Sequence, residues 1–231
     1  TRLKPLTDTM PKALVRVGGK PLIERVIEKL KDAGADRIVV NVHHFASKIV
    51  GYLKDNDNFG TDIRVSDETD KLLDTGGGIK KAAPLFDSDK PVLIHNVDIL
   101  SNVDLAHLYA MHGDSAATLV VSSRKTKRYL LFDDDMRLKG WTNIETGEVR
   151  SPYPDLNVAD CRMLAFSGIH VISPSMFGLM DEFPDKFGII DFYLKVCDKV
   201  VIKGYDKTDL RLMDVGKLDT LAEAENFINQ L

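Results

Sequence analysis

Two aspartates far apart in the chain each close an apolar run. Asp98 follows Pro91-Val92-Leu93-Ile94-His95-Asn96-Val97, and Asp214 follows Leu210-Arg211-Leu212-Met213. The glycine triplet Gly76-Gly77-Gly78 and an early Pro11-Lys12 lie ahead of them. A carboxylate just beyond a buried strand stands in the crevice where open α/β sheets bind ligands. Magnesium accepts one or two such carboxylates and completes its shell with phosphates and waters. Glycines let backbone amides approach a ligand closely, and a helix start adds unpaired N–H groups and the positive end of its dipole. Lys12, held by the fixed backbone angle of Pro11, and Arg2, with its planar donor fork, supply cations for phosphate oxygens.

These residue types together point to the handling of a metal-bound nucleotide. Each also has an ordinary use: aspartate caps turns, glycine makes flexible ones, and cations solvate surfaces. Thr75-Gly76-Gly77-Gly78, placed ahead of a helix starting at Ile79, is neither a Walker loop nor a complete dinucleotide fingerprint. An NAD-dependent oxidoreductase is disfavoured on that ground.

The elements that must position these residues follow from hydrophobic periodicity. Leu22, Ile23, Val26, Ile27 and Leu30 fall on one face of a helix over 20–30 with Pro21 near its first turn. Ala33-Gly34 stops it, and 37–42 reads as a buried strand. The alternation continues with a helix over 47–53, a strand over 62–65, a helix over 79–85, a central strand over 91–97, a helix over 105–112 and a strand over 116–121. This predicts an α/β fold, a Rossmann-like, mostly parallel sheet with helices on both faces. Beyond 121 the pattern changes to a hairpin of 129–132 and 137–141 around Asp133-Asp134-Asp135. Strands over 165–172 and 200–202 and a closing helix over 218–228 follow.

The chain of 231 residues, 44% hydrophobic and 29% charged, is sized for one domain, 1–231, with no stretch able to span a bilayer. A net charge of -4 argues against an extended nucleic-acid face. The basic run Arg124-Lys125-Thr126-Lys127-Arg128 reads as a solvated loop beside the three aspartates. Cys161 and Cys197 lack paired spacing, which fits a reducing cytoplasm rather than a disulfide or zinc scaffold. Thr1-Arg2-Leu3-Lys4-Pro5 shows neither an initiator methionine nor a signal sequence, and no strand opens the chain. A first strand is therefore expected upstream of Thr1.

Thr1-Arg2-Leu3-Lys4-Pro5-Leu6-Thr7 followed by Pro11-Lys12-Ala13-Leu14-Val15 resembles the second half of the signature of sugar-1-phosphate nucleotidyltransferases. The resemblance covers nearly the whole chain. Gly18-Gly19-Lys20-Pro21-Leu22-Ile23, Leu73-Asp74-Thr75-Gly76-Gly77-Gly78-Ile79, Phe166-Ser167-Gly168-Ile169 and the stretch from Asp214-Val215-Gly216 to Leu221-Ala222-Glu223-Ala224 all match family segments. It implies the nucleotide-diphospho-sugar transferase fold, with 1–121 mainly the nucleotide half and 122–231 mainly the sugar-phosphate half.

By that resemblance Asp98 and Asp214 would hold magnesium (Mg2+), and Arg2 and Lys12 would clamp the phosphates. Thr75, Gly76, Gly77 and Asn96 would line the nucleotide, while Ser167, Gly168 and Asp191 would approach the sugar. Asp191 reads equally well as a helix-starting cap. Three departures stand out: the glycine-rich loop would precede Thr1, Val97 replaces a glycine and should narrow the approach to Asp98, and the usual sugar-phosphate lysine has only Lys139 or Arg150 as substitutes. The implied partners are a nucleoside triphosphate and a sugar 1-phosphate, with no nucleic acid or membrane, in a monomer or homodimer. Small N-acetylmuramic acid 1-phosphate uridylyltransferases are the most similar in appearance, with mannose- or heptose-1-phosphate guanylyltransferases as the alternative. A non-catalytic nucleotide-sugar sensor is a further functional class.

Overall fold

The computed structural model describes residues 8–216 and 219–231. β1 (Arg16–Val17) and β2 (Lys20–Pro21) form a small hairpin on Gly18 and Gly19, whose φ angles of +54° and +79° demand glycine. Lys20 pairs with Val17, so α1 (Leu22–Asp32) starts later than its periodicity suggests, with Pro21 as the extended residue before it. The helix buries Leu22, Ile23 and Ile27 and ends at Gly34, with φ +90°. β3 (Arg37–Val42), α2 (Ala46–Asp55) and β4 (Asp62–Asp67) form a parallel crossover unit in register from Arg37↔Asp62 to Val42↔Asp67.

α3 spans Asp74–Ala82, so the glycine triplet lies inside the helix rather than ahead of it. β5 (Val92–His95), β6 (Ile99–Ser101) and α4 (Leu105–Ala110) follow. Asp104 caps α4 by accepting from the His107 amide at 2.9 Å. β7 (Ala117–Ser122) is buried along its whole length. β8 (Arg128–Phe132) and β9 (Leu138–Asn143) make the expected hairpin, extended by β10 (Glu148–Arg150). β11 (Arg162–Ile172) returns beside β7, then come α5 (Ser175–Met180), α6 (Ile189–Val196), β12 (Ile202–Asp206), β13 (Leu212–Asp214) and α7 (Asp219–Ile228).

The sheet is mixed rather than mostly parallel. Among the described residues, parallel pairing is confined to β3 with β4 and β7 with β12, whereas β11 runs antiparallel to β5, β7 and β8. The cause is the connection between β7 and β11. It is built of hairpins without an α-helical crossover, and a parallel return beside β7 would need such a crossover. The largest sheet has the order β10-β9-β8-β11-β7-β12, with β5 on the second half of β11.

Helices cover both faces of the centre. Leu119, Val121 and Ile172 pack with Met176, Phe192 and Tyr193 on one side. Val120, Ile169 and Val171 pack with Val103, Leu105 and Leu108 on the other. No helix of the described residues is long and apolar enough to cross a membrane.

Candidate active site

Asp98 lies in the turn between β5 and β6, closed by the Ile99 amide donating to the Asn96 carbonyl at 3.2 Å. Asp214 ends β13, which pairs antiparallel with β6 so that Asp214 faces Ile99, and the Val215 amide donates to the Asp98 carbonyl at 2.9 Å. One short ladder thus sets two distant aspartates side by side. Lys12 reaches them from a 3-10 turn, Lys12–Leu14, entered through Pro11 at φ -67° and anchored by buried Ala13.

The Lys12 ammonium makes a close ion pair with Asp98 Oδ2 and lies 3.8 Å from Asp214 Oδ1. Lys12 and Asp98 side chains are about a quarter exposed and Asp214 is 64% exposed, so the cluster opens to solvent on the Asp214 side. Gly216 shapes it. A Cβ there would stand 2.7 Å from Asp214 Oδ1 and 3.4 Å from Lys12 Nζ.

The donor set fits magnesium in one specific way. Two carboxylates share one ammonium, which leaves a net negative charge and a point between them where a cation is already favoured. Among the described residues no group of three or more His, Cys, Asp or Glu forms a complete cage. Asp98 and Asp214 therefore suit an ion that takes its remaining oxygens from phosphates and water.

Asn96 is exposed beside them, and its amide donates to the Gly168 carbonyl at 3.1 Å. The pairing of β11 with β7 shifts register between Phe166 and His170, and Gly168 sits in that bulge at φ +81°. A Cβ at Gly168 would lie 2.5 Å from Asn96 Nδ2, so glycine is what lets the two segments meet. Buried Ser167 accepts from the Ile169 amide at 3.2 Å within the bulge. Asn96, Asp98, Ser167 and Gly168 are thus brought together.

His95 Nδ1 contacts the Asn96 carbonyl at 2.8 Å, which makes it the protonated nitrogen, while buried Nε2 has no partner among the described residues. Burial pulls its pKa down to about 4, so the ring is neutral near pH 7. Lys29, which donates to the Ser101 carbonyl at 2.6 Å, is lowered by burial to about 8.

The glycine triplet is explained by packing. A Cβ at Gly76 would meet the Phe187 ring at 2.3 Å, one at Gly77 the Asp185 carbonyl at 2.0 Å, and one at Gly78 the Glu68 carboxylate at 2.6 Å. The Gly76 and Gly77 amides both donate to the Phe187 carbonyl, at 2.9 and 3.2 Å. The expected cradle of free amides is therefore not formed: these donors are spent on the loop ahead of α6. Thr75 Oγ1 likewise accepts from the Ile189 amide at 2.9 Å. Asp191 lies in the first turn of α6, where Gly188 rather than Asp191 is the cap. Its carboxylate pairs closely with Arg150, whose guanidinium lies 5.4 Å from the Trp141 ring.

Lys139 is also engaged, 3.6 Å from Asp133 and 4.1 Å from the Tyr153 ring centre. In the basic run, Lys127 pairs with Glu145 at 2.6 Å and Arg124 donates to the Phe166 carbonyl at 3.0 Å. Val97 packs against the clusters around Val15 and around Val42, turned into the core. Arg2 lies outside the described residues.

Three features escape sequence reasoning. The β6–β13 ladder has strands too short for a periodic signal. Gly216 is required by side chains that only the fold brings near. Buried Glu68 accepts from Asn41 Nδ2 at 2.8 Å and from the Leu73 amide at 3.2 Å, fixing the start of α3.

A family model described as Nucleotidyl transferase matches residues 1–230. A curated N-acetylmuramate alpha-1-phosphate uridylyltransferase of Caulobacter vibrioides is 31% identical over 186 residues, covering 76% of this chain and 72% of its own. One of the same name from Neisseria meningitidis serogroup B is 32% identical over 177 residues with the same coverage. A mannose-1-phosphate guanyltransferase of Yarrowia lipolytica is 30% identical over 186 residues, covering 80% of this chain and 49% of that protein.

Among solved structures, a putative glucose-1-phosphate thymidylyltransferase from Bacillus anthracis superposes with a TM-score of 0.80 at 16% identity, over 100% of this chain and 91% of that one. HddC from Yersinia pseudotuberculosis gives 0.77 at 22% identity, over 99% and 94%. These likenesses show the nucleotide-diphospho-sugar transferase fold, and with the family match over nearly the full length the chain belongs to the nucleotidyl transferase family.

Proposed function

We propose that the chain transfers a nucleotidyl group from a nucleoside triphosphate to a sugar 1-phosphate, with UTP and N-acetylmuramic acid 1-phosphate as the substrates. The observation that carries this reading is Lys12 held between Asp98 and Asp214. A phosphate oxygen of the sugar 1-phosphate attacks the α-phosphorus in line. The bond from that phosphorus to the bridging oxygen of the β-phosphate breaks, and pyrophosphate leaves with the bonding pair. The nucleophile is already an anion near neutral pH, so no proton needs to move. Rate enhancement then rests on alignment and on offsetting charge.

Lys12, and Arg2 by resemblance, offset charge on the departing pyrophosphate side. Asp98 and Asp214 would hold a magnesium ion, which when bound neutralises phosphate oxygens and polarises the phosphorus. Asn96 and the Thr75 end of α3 serve the nucleotide. Ser167, Gly168 and Asp191 serve the sugar, with Arg150 beside Asp191 as the cation nearest to hand. In this reading 1–121 carries mainly the nucleotide side and 122–231 mainly the sugar-phosphate side. The uridylyltransferase names of two relatives support the choice of base and sugar.

The guanyltransferase relative supports a second reading, GTP with mannose 1-phosphate, to which the sequence resemblance adds heptose 1-phosphate. Pyrophosphate release with magnesium across UTP, GTP, CTP, ATP and dTTP against several sugar 1-phosphates separates them. Release confined to UTP with N-acetylmuramic acid 1-phosphate supports the first. GTP with mannose or heptose 1-phosphate moves the assignment to the second, and no release from folded protein moves it to a non-catalytic nucleotide-sugar sensor.

A further inference from the structure

β5, β11 and β7 lie side by side, and β11 runs antiparallel to both neighbours, so β5 and β7 end on the same side of the sheet. Asn96, Val97 and Asp98 follow β5 there, and Ser123 and Arg124 follow β7. The bulge of β11, with Ser167 and Gly168, stands between them. Two strand spacings, about 10 Å, separate the outer segments.

Arg124 does not extend away from this crevice. Ser122 pairs with Ala165 and Val121 with Phe166, so the register carried forward would set Arg124 opposite Met163. Its guanidinium instead donates to the Phe166 carbonyl at 3.0 Å, three residues further along β11 and next to Ser167. The side chain is thus folded back toward the bulge. The loop behind it is held by the Thr126 amide, which donates to the Tyr129 hydroxyl at 3.0 Å.

Charge separates Arg124 from the other cations nearby. Lys207, where β12 ends next to β7, pairs with Asp209 at 2.7 Å, and Arg150 pairs with Asp191. Lys139 lies 3.6 Å from Asp133 and faces the ring of Tyr153, whose hydroxyl donates to the Cys197 carbonyl just past α6. It therefore stands at the opposite end of that helix from Asp191. Among the described residues Arg124 has no carboxylate partner, and the Phe166 carbonyl takes only one of its five N–H donors. An exposed guanidinium with its charge uncompensated suits a carboxylate, which it can meet with two parallel N–H groups.

We infer that Arg124 binds a carboxylate on the sugar, so that the sugar 1-phosphate site selects an acidic sugar. This rests on the proposed reading of Ser167 and Gly168 as the sugar side. A ring lying over the bulge, with its anomeric phosphate toward Asp98 and Asp214, presents its far edge to Arg124. N-acetylmuramic acid fits, because its lactyl ether sets a carboxylate on the ring edge away from the anomeric carbon. Mannose and heptose rings are neutral there and leave the guanidinium unpaired. A charge-assisted pair of this kind favours the acid over a neutral ring by about 10–100-fold.

The test is calorimetric binding with magnesium and the α,β-methylene analogue of UTP or, separately, of GTP, whose bridge cannot be cleaved. N-acetylmuramic acid 1-phosphate is compared with N-acetylglucosamine 1-phosphate, the same ring without the lactyl acid. The protein should bind the acid at least about tenfold more tightly. Arg124→Gln should bring the two close to equal by weakening the acid alone, and Arg124→Lys should keep part of the preference. Equal weakening of both sugars would make Arg124 a brace for the bulge and overturns the inference. A preference that survives in Arg124→Gln, or that the parent protein lacks, overturns it too. Pyrophosphate release measured in parallel keeps the two claims apart. A preference lost in Arg124→Gln, without turnover in the parent, sinks the reaction and upholds the role of Arg124; turnover with an unaltered preference does the reverse.

Discussion

Replacing Gly77 with alanine pits two effects of opposite sign. In a helix interior alanine is favoured over glycine by about 1 kcal/mol, so α3 as an isolated helix would gain. In the fold the new Cβ stands 2.0 Å from the Asp185 carbonyl oxygen and 3.0 Å from Leu73 Cβ. The first partner is backbone and cannot swing away, so the loop ahead of α6 must retreat from α3. Overpacking of this kind costs about 1–3 kcal/mol. The same retreat stretches the Gly76 and Gly77 amide bonds to the Phe187 carbonyl, each worth about 1 kcal/mol.

The clash and the stretched bonds outweigh the propensity, and the expected net loss is about 2–4 kcal/mol. In a protein of this size that lowers Tm by about 4–16 °C. Gly51→Ala in α2 is the control: nothing lies within 4 Å of the added Cβ, so only the favourable helix effect remains and Tm should hold or rise. Thermal melts of both variants by far-ultraviolet circular dichroism give the comparison. A Gly77→Ala protein that melts at or above the parent would refute the assignment of this glycine to packing.

Asp98→Asn should lower turnover by at least about 100-fold while leaving Tm within a few degrees. Near-normal pyrophosphate release by this variant at limiting magnesium would sink the assignment of Asp98. Gly216→Ala crowds Asp214 and Lys12 without touching the core, and should weaken apparent magnesium dependence by about tenfold at unchanged Tm. An unchanged magnesium titration speaks against it.

His170, fully enclosed and bonded to the Tyr193 hydroxyl, has its pKa pulled down by burial to about 3, against an ordinary 6.5. The unfolded chain therefore binds this proton first. The stability is complete above about pH 6.5 and is lost as pH falls toward 3, with about 2 kcal/mol gone at pH 5. Urea midpoints at pH 7.5 and 5.0 should differ less in His170→Gln than in the parent, and equal differences contradict the linkage.

How much could be read in advance depends on where each residue's partners lie. α1, β3, β7 and the β8–β9 hairpin were legible because periodicity and turn chemistry are local, and Gly34 stops its helix with a backbone angle glycine favours. The alternation of helices and strands announced an α/β core. It did not announce that the hairpin-built return from β7 would set β11 antiparallel, since strand direction is settled by the connection and not by the strand. Asp98 and Asp214 stood out because each closes an apolar run, yet their meeting depends on strands too short to show a period. The glycine triplet is ambiguous in sequence because glycine has two uses. The contacts that require Gly76 and Gly77, Phe187 and Asp185, lie more than a hundred positions away and leave no local mark.

Lys12 carries a consequence for the order of events. Its ammonium already sits where both carboxylates attract a cation, so the cluster contains its own provisional counter-ion. If Asp98 and Asp214 held a divalent ion, as proposed, Lys12 would have to give up its place between them and would need another anion, which a triphosphate could supply. In that reading the lysine would disfavour bare metal and bare nucleotide and favour the two together.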